Sequence, residues 1–192
     1  MFNIVIFGAP GSGKGTQSEK LIENYGLYHI STGEVLRDHI ARDTDLGRIA
    51  DSYISQGMLI PDELMVNILG SVLDSNPETQ KGVIFDGFPR TINQAKALKK
   101  MLAERDAAVD AVVGLEVVEE ELIDRLIKRG KESGRSDDNL ETIKKRLDVY
   151  HNQTSPLRDF YIAEKKYLKI MGSGAVHEIF ANIKNAIDSI AK

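Results

Sequence analysis

A glycine-rich stretch at residues 8–15, GAPGSGKG, combines the residue types that bind phosphate groups. Its four glycines let backbone N–H groups approach an anion closely, and Lys14 can place a positive charge beside the β- and γ-phosphates of a nucleotide. The stretch follows an apolar run and precedes a helical pattern, so a helix N-terminus adds its positive dipole end. A turn that only connected a strand to a helix would not need the lysine. The residues expected to hold phosphates are Gly11, Ser12, Gly13, Lys14, Gly15 and Thr16.

The residue after Lys14 departs from the usual phosphate-binding loop, in which a serine or threonine at that position binds Mg²⁺. Here Gly15 follows the lysine, and the hydroxyl of Thr16 is turned by about 100° around the helix. We therefore expect Mg²⁺ to be held mainly by phosphates and water. Asp86, at the end of the apolar run GVIFD, is the expected metal ligand, through water. A role for Asp86 as a cap of the following turn stays open.

Arg125 and Arg129 are four residues apart, so on a helix they share one face and repel each other unless an anion lies between them. The alternative is that each is paired with a carboxylate. Glu121, four residues before Arg125, is a suitable partner for that arginine, whereas the spacing favours such a pair less for Arg129. This basic face is therefore a candidate site for a second set of phosphate contacts.

A helix start is predicted just after the basic face, where Asp138 and Glu141 form an Asp-x-x-Glu capping pattern. The helix that follows carries Arg146, and the preceding Gly-Ser-rich turn carries Arg135. Asp137 and Asp138 are either caps alone or also partners of these arginines.

Short apolar runs that alternate with helical patterns must position these side chains. The runs cover residues 3–7, 28–30, 83–85, 112–117 and 167–171, with enough chain between them for crossover helices. This order predicts an α/β fold, a three-layer sandwich in which a five-stranded parallel sheet has helices on both faces. Residues 31–60 and 130–138 are predicted insertions on the strand-to-helix side, where ligands bind in such folds.

The composition limits the remaining possibilities. The 192 residues are 42% hydrophobic and 28% charged, which predicts one globular domain spanning residues 1–192. A net charge of −4 gives no general attraction to nucleic acid or to an anionic membrane. The absence of cysteine excludes a disulfide framework and a thiolate zinc site. Because the first residues resemble neither a signal peptide nor a membrane span, we expect a cytoplasmic location.

Six motifs in order resemble those of the nucleoside monophosphate kinase family, most closely its adenylate kinases, over nearly the whole chain. They are GAPGSGKGTQ at 8–17, STGEVLR at 31–37, DGFPRTINQ at 86–94, DRLIKRG at 124–130, SGRSDDN at 133–139 and IKKRL at 143–147. The resemblance implies a P-loop kinase domain with a monophosphate-binding lobe at residues 31–60 and a short lid at 126–138. The zinc-binding lid of some relatives is excluded, because its cysteines are absent.

The resemblance also implies roles for individual residues. To ATP it assigns the loop residues named above, with Arg125, Arg129 and Gly174. To AMP it assigns Thr32, Arg37, Met58, Leu59, Ile60, Gly87, Phe88, Pro89, Arg90, Gln94, Arg135 and Arg146. Catalytic neutralisation of charge falls to Lys14, Arg90, Arg129, Arg135 and Arg146. Plainer roles stay open, since Arg37 could be a solvated helix arginine, residues 58–60 could be core, and Gly174 could lie in an ordinary loop.

The implied reaction is reversible transfer of a phosphoryl group from Mg·ATP to AMP, giving two ADP. The acceptor is an anionic phosphate oxygen and needs no general base, so we assign none. Thr32 with Gln94 resembles the adenine-reading pair, whereas uridylate/cytidylate kinases, the main alternative, tend to have alanine and asparagine there. A hydroxyl kinase would need a base, and an ATP-binding switch would not need two arginine clamps. The expected partners are ATP, AMP and ADP, with no nucleic acid, no membrane and a monomeric chain.

Overall fold

The fold was analysed in a computed structural model, which describes residues 2–190; the ends of the expected domain, residue 1 and residues 191–192, lie outside that part. Five parallel strands form one sheet in the order β2-β3-β1-β4-β5. The strands are β1 Ile4–Gly8, β2 Tyr28–Ser31, β3 Val83–Asp86, β4 Ala111–Glu116 and β5 Tyr167–Met171. All five predicted strands are confirmed, with ends that differ by at most one residue.

Helices connect the strands and cover both faces of the sheet. They are α1 Lys14–Tyr25, α2 Thr32–Ala41, α3 Asp45–Ile54, α4 Asp62–Ser75, α5 Ile92–Ala103, α6 Glu119–Ser133, α7 Leu140–Val149, α8 Leu157–Ala163 and α9 Val176–Ile190. A 3₁₀ turn covers Pro77–Lys81, and a π-helical turn at Tyr150–Thr154 follows α7 directly.

The core is divided by the sheet into two apolar layers. Along β1, Val5 and Phe7 pack with α4, α5 and α8, whereas Ile4 and Ile6 pack with α1 and α9. This alternation follows from the strand period of two residues, and burial on both faces explains why the predicted strands are continuous apolar runs. The predicted three-layer sandwich is therefore confirmed.

The sheet brings the motifs together because its strands are parallel. β1 ends at Gly8, where the glycine-rich loop begins, and the neighbouring β3 ends at Asp86, so both loops leave the same edge of the sheet. β2 ends at Ser31, whose hydroxyl accepts a hydrogen bond from the backbone N–H of Glu34 and caps α2. The site described below lies at this edge.

Two further segments lie beside that edge and contribute residues to the cavities there. Residues 31–60 contain α2 and α3, which pack against each other. The C-terminal half of α6 and the turn after it form the 126–138 segment. In the described part of the chain, no helix is long and apolar enough to cross a membrane.

Candidate active site

The glycine-rich loop curls around the ammonium group of its own lysine. Lys14 donates hydrogen bonds to the backbone carbonyls of Gly8 at 2.9 Å and Ala9 at 3.0 Å. Gly13, at φ 91°, adopts the left-handed conformation that lets α1 start at once at Lys14. The hydroxyl of Ser12 is buried in the loop and has no hydrogen-bond partner within the described protein. A buried polar group of this kind is suited to a polar ligand in the loop.

Lys14 and Asp86 lie close enough to influence each other's ionisation. Burial, followed by the charges of Arg90 and Arg146, lowers the pKa of Lys14 from 10.5 to about 8, although Asp86 acts in the opposite direction. Burial acts to raise the pKa of Asp86, but the nearby imidazole of His29 and the charge of Lys14 outweigh it, and the pKa is lowered. Asp86 therefore remains a carboxylate, with an oxygen 3.6 Å from Nε2 of His29.

Two cavities open at this edge of the sheet, and they share one wall. The residues that line both are Pro10, Lys14, Gly33, Arg37, Gly87, Arg90 and Arg146. Four of the seven are cationic, so positive charge concentrates where the cavities meet. Ligands in the two cavities would therefore present their negative groups to the same set of cations.

The first cavity contains most of the residues that the resemblance assigns to AMP. Its lining includes Thr32, Arg37, Met58, Leu59, Ile60, Gly87, Pro89, Arg90, Gln94 and Arg146. Phe88 is a core side chain and lines neither cavity, so residue 88 could reach a ligand only through its backbone. Arg135 lines the second cavity alone.

The second cavity contains the residues that the resemblance assigns to ATP. All of them are in its lining: Gly11, Ser12, Gly13, Lys14, Gly15, Thr16, Arg125, Arg129 and Gly174. Arg125 forms the predicted ion pair with Glu121 and also donates to the carbonyl of Gly172 at 2.9 Å. This anchoring holds Arg125 at the mouth of the loop, with a long contact of 3.4 Å to the carbonyl of Gly11.

The turn after α6 contains a buried carboxylate, Asp138, which binds an arginine of α6 and an arginine of α7. Asp138 receives two hydrogen bonds from Arg129, at 2.6 and 2.8 Å, and one from Arg146 at 2.7 Å. Arg146 also lies 3.0 Å from Asp137. The structure thus pairs Arg129 with a carboxylate, an alternative that the sequence left open, and Asp137 and Asp138 are partners of arginines rather than caps alone.

The predicted cap of the next helix was wrong. Asn139, rather than Asp138, is the N-cap of α7, and its side-chain oxygen accepts from the backbone N–H of Thr142 at 2.9 Å. The two residues are adjacent and both are good caps. The carboxylate is used instead by two arginines eight and nine residues away, a preference that follows from its charge.

The arginines of the site repel one another. The pKa values of Arg37, Arg90 and Arg135 are all lowered. Burial is the main cause in each case, and the charge of a neighbouring arginine is the second. Guanidinium groups stay protonated at neutral pH even so. A polyanion in the shared wall would relieve this repulsion, which favours ligands with several phosphate charges.

Some residues of the site were not singled out from the sequence. Asp62, the first residue of α4, accepts hydrogen bonds from the side chains of Gln94 and Thr91, both at 2.9 Å. His29 faces Asp86 from the adjacent strand. Nothing in the spacing of Asp62 connects it to Gln94, 32 residues away.

The residues present fit Mg²⁺ with a nucleotide. The orphaned hydroxyl of Ser12, the buried ammonium of Lys14 and the cationic wall suit phosphate oxygens. Asp86 is a buried carboxylate beside them, the hard oxygen donor that Mg²⁺ accepts directly or through water.

Comparison with known proteins agrees with this geometry. The model of the family described as "Adenylate kinase" matches residues 6–166. A curated relative of that name from Bacteroides thetaiotaomicron is 65% identical over 190 residues, which cover 99% of this chain and 100% of that protein. One from Parabacteroides distasonis is 63% identical with the same coverage, and one from Porphyromonas gingivalis is 53% identical over 192 residues, or 100% of this chain and 98% of that protein. Matched from end to end at this identity, the chain belongs to the adenylate kinase family.

Proposed function

We propose that this protein catalyses the reversible, Mg²⁺-dependent transfer of the γ-phosphoryl group of ATP to AMP, giving two ADP, and so contributes to nucleotide homeostasis in the cytoplasm. Family membership supports the reaction class. The single structural observation that supports it most is the cationic wall shared by two cavities. A single chain contributes both cavities, so the reaction would need no second protomer.

In the proposed arrangement, the glycine-rich loop binds the phosphates of ATP and the first cavity binds AMP. Lys14 would contact the β- and γ-phosphates, and Arg90 and Arg146, present in both cavities, would contact the transferred group. Arg37 would hold the phosphate of AMP. Because the attacking phosphate oxygen is already an anion, these side chains neutralise charge and no group has to remove a proton.

The remaining cations complete the proposed set around the phosphates. Arg129 and Arg135 line the ATP cavity from α6 and the following turn. Arg125 and Gly174 also line this cavity, and we assign them to the adenine of ATP. Gly11, Ser12, Gly13, Gly15 and Thr16 would surround the phosphates through loop and helix N-terminus contacts.

Mg²⁺, when bound with ATP, would neutralise phosphate charge and orient the γ-phosphoryl group. Asp86 is the residue that would hold it through water. Thr16 also lines the second cavity, one residue beyond the usual position for a metal ligand.

We also propose that the monophosphate-binding lobe at residues 31–60 and the short lid at 126–138 close over the substrates. Water is a competing phosphoryl acceptor, so transfer requires its exclusion. Gly57 of the lobe lies so close to α7, the helix after the lid, that a Cβ there would be 3.1 Å from Cγ of Arg146.

The proposal is tested by product formation from Mg·ATP with AMP, UMP, CMP, GMP or no acceptor at equal concentrations. We expect ADP formation that depends strongly on AMP. Preference for UMP or CMP would retain phosphoryl transfer but reject the AMP pocket, and acceptor-independent hydrolysis would reject the kinase activity. Arg90→Lys is the sharpest variant, because lysine keeps the charge but loses the planar fork for phosphate, and should lower kcat/KM by about tenfold or more.

A further inference from the structure

The side-chain amide of Gln94 is held in one orientation by two partners of opposite character. Its Oε1 accepts from the backbone N–H of Arg90 at 2.7 Å, and its Nε2 donates to Oδ1 of Asp62 at 2.9 Å. A backbone N–H can only donate, and a carboxylate can only accept. Gln94 is 2% exposed, so water has little access to replace either contact.

Rotation of the amide by 180° would break both contacts. Oε1 would then face the carboxylate of Asp62, and Nε2 would face the N–H of Arg90, leaving two pairs of like groups in a buried place. The contact to Asp62 is the stronger of the two because it is charge-assisted. Asp62 is itself fixed by the hydroxyl of Thr91, which donates to its other oxygen at 2.9 Å.

The fixed orientation determines which base edge the amide can bind. Each partner leaves one group free, a lone pair on Oε1 and a hydrogen on Nε2. This pair matches a base edge with an amino group beside a ring nitrogen acceptor, which is the pattern of adenine. Hypoxanthine has a carbonyl beside a ring N–H, and only the rotated amide would match it.

We infer that Asp62 is a specificity-determining residue, which positions Gln94 to accept a 6-aminopurine monophosphate and reject a 6-oxopurine monophosphate. It acts through Gln94 and touches no substrate atom, so it is a positioning residue. The inference rests on the proposed function, because it takes the first cavity to be the site of the acceptor base.

The experiment compares kcat/KM for AMP with kcat/KM for inosine monophosphate, in the unaltered enzyme and in Asp62→Asn and Asp62→Ala. An asparagine can turn its own amide and accept either orientation of Gln94, and alanine removes the acceptor altogether. We expect the AMP-to-inosine monophosphate ratio to fall by about tenfold in either variant, the effect of losing one charge-assisted hydrogen bond. A general loss of activity would cancel in this ratio.

Glu63→Gln is the matched control, since it removes the same charge from the next residue of the same helix turn without a contact to Gln94. Its ratio should equal that of the unaltered enzyme. An unchanged ratio in whichever Asp62 variant folds, judged by thermal melting, would overturn the inference while leaving AMP phosphorylation intact. Failure of the unaltered enzyme to phosphorylate AMP would instead reject the proposed function.

Discussion

Replacement of Asp138 by asparagine should destabilise the protein because it leaves two arginines without their shared carboxylate. The side chain of Asp138 is 0% exposed, whereas those of Arg129 and Arg146 are 33% and 18% exposed. Breaking a fully buried pair costs about 3–5 kcal/mol, and partial solvation of the arginines reduces this to roughly 2–3 kcal/mol. For a chain of this size the expected fall in melting temperature is roughly 5–10 °C.

Thermal melting with and without saturating ADP measures this effect and its cause. Phosphate groups can replace the carboxylate as partners of the arginines, so the deficit of Asp138→Asn should become smaller when ADP is bound. Glu141→Gln is the control, because it breaks an exposed pair with Lys145 and should leave the melting temperature nearly unchanged. A fall in melting temperature of less than about 2 °C corresponds to less than about 1 kcal/mol and would refute the reasoning. A deficit that ADP leaves unchanged would refute it as well.

The pH dependence of the same deficit provides an independent check. Burial acts to raise the pKa of Asp138, but Arg129 and Arg146 outweigh it, and the pKa lies below its ordinary 3.8. A carboxyl group with a depressed pKa stabilises the fold above the unfolded-state pKa, and this contribution is lost as the pH falls through the folded-state value. The difference between the unaltered protein and Asp138→Asn should therefore be constant near neutral pH and decrease only in acid below 3.8.

Three further predictions concern the loop, the lobe and a helix end. ADP affinity should fall above pH 8, because Lys14 loses its proton there in the free protein, and calorimetry should find no such fall in Lys14→Arg. Gly57→Ala should destabilise by about 1–2 kcal/mol in urea unfolding, because Gly57 has φ 73° and a Cβ would lie 3.1 Å from Cγ of Arg146. Gly70→Ala, in an ordinary helix interior, should instead stabilise by about 0.5–1 kcal/mol. Asn139→Ala should cost about 1 kcal/mol in the same assay, and an unchanged midpoint would reject its role as a cap.

The fold and the phosphate loop could be predicted because their signals are local. Apolar runs with β-branched residues, separated by helical patterns, indicate buried parallel strands without knowledge of any long-range contact. The capping of α2 by Ser31 and the pair between Arg125 and Glu121 also depend on residues three or four apart. Interactions at helical spacing are accessible to sequence analysis for this reason.

The partners of the charged groups could not be predicted in the same way. Asp138 and Asn139 are equally suited to cap α7, and the choice between them depends on where α6 places Arg129. The contact from Asp62 to Gln94 joins the starts of two helices, which only the packed structure brings together. Neither contact has a sequence spacing that identifies it.

These contacts divide the charged residues of the site by what they accomplish. The cations of the shared wall lie where phosphates would bind, whereas Asp62 and Asp138 bind protein side chains. A carboxylate among phosphate-binding groups would repel the substrate, and its cost is reduced when its oxygens already receive hydrogen bonds from the protein. Asp138 thereby restrains Arg129 and Arg146 in the protein without a bound nucleotide, and Asp62 restrains the side-chain amide of Gln94. The acidic residues contribute order to a site whose chemistry depends on positive charge, which is why we expect their loss to change stability and base selectivity differently.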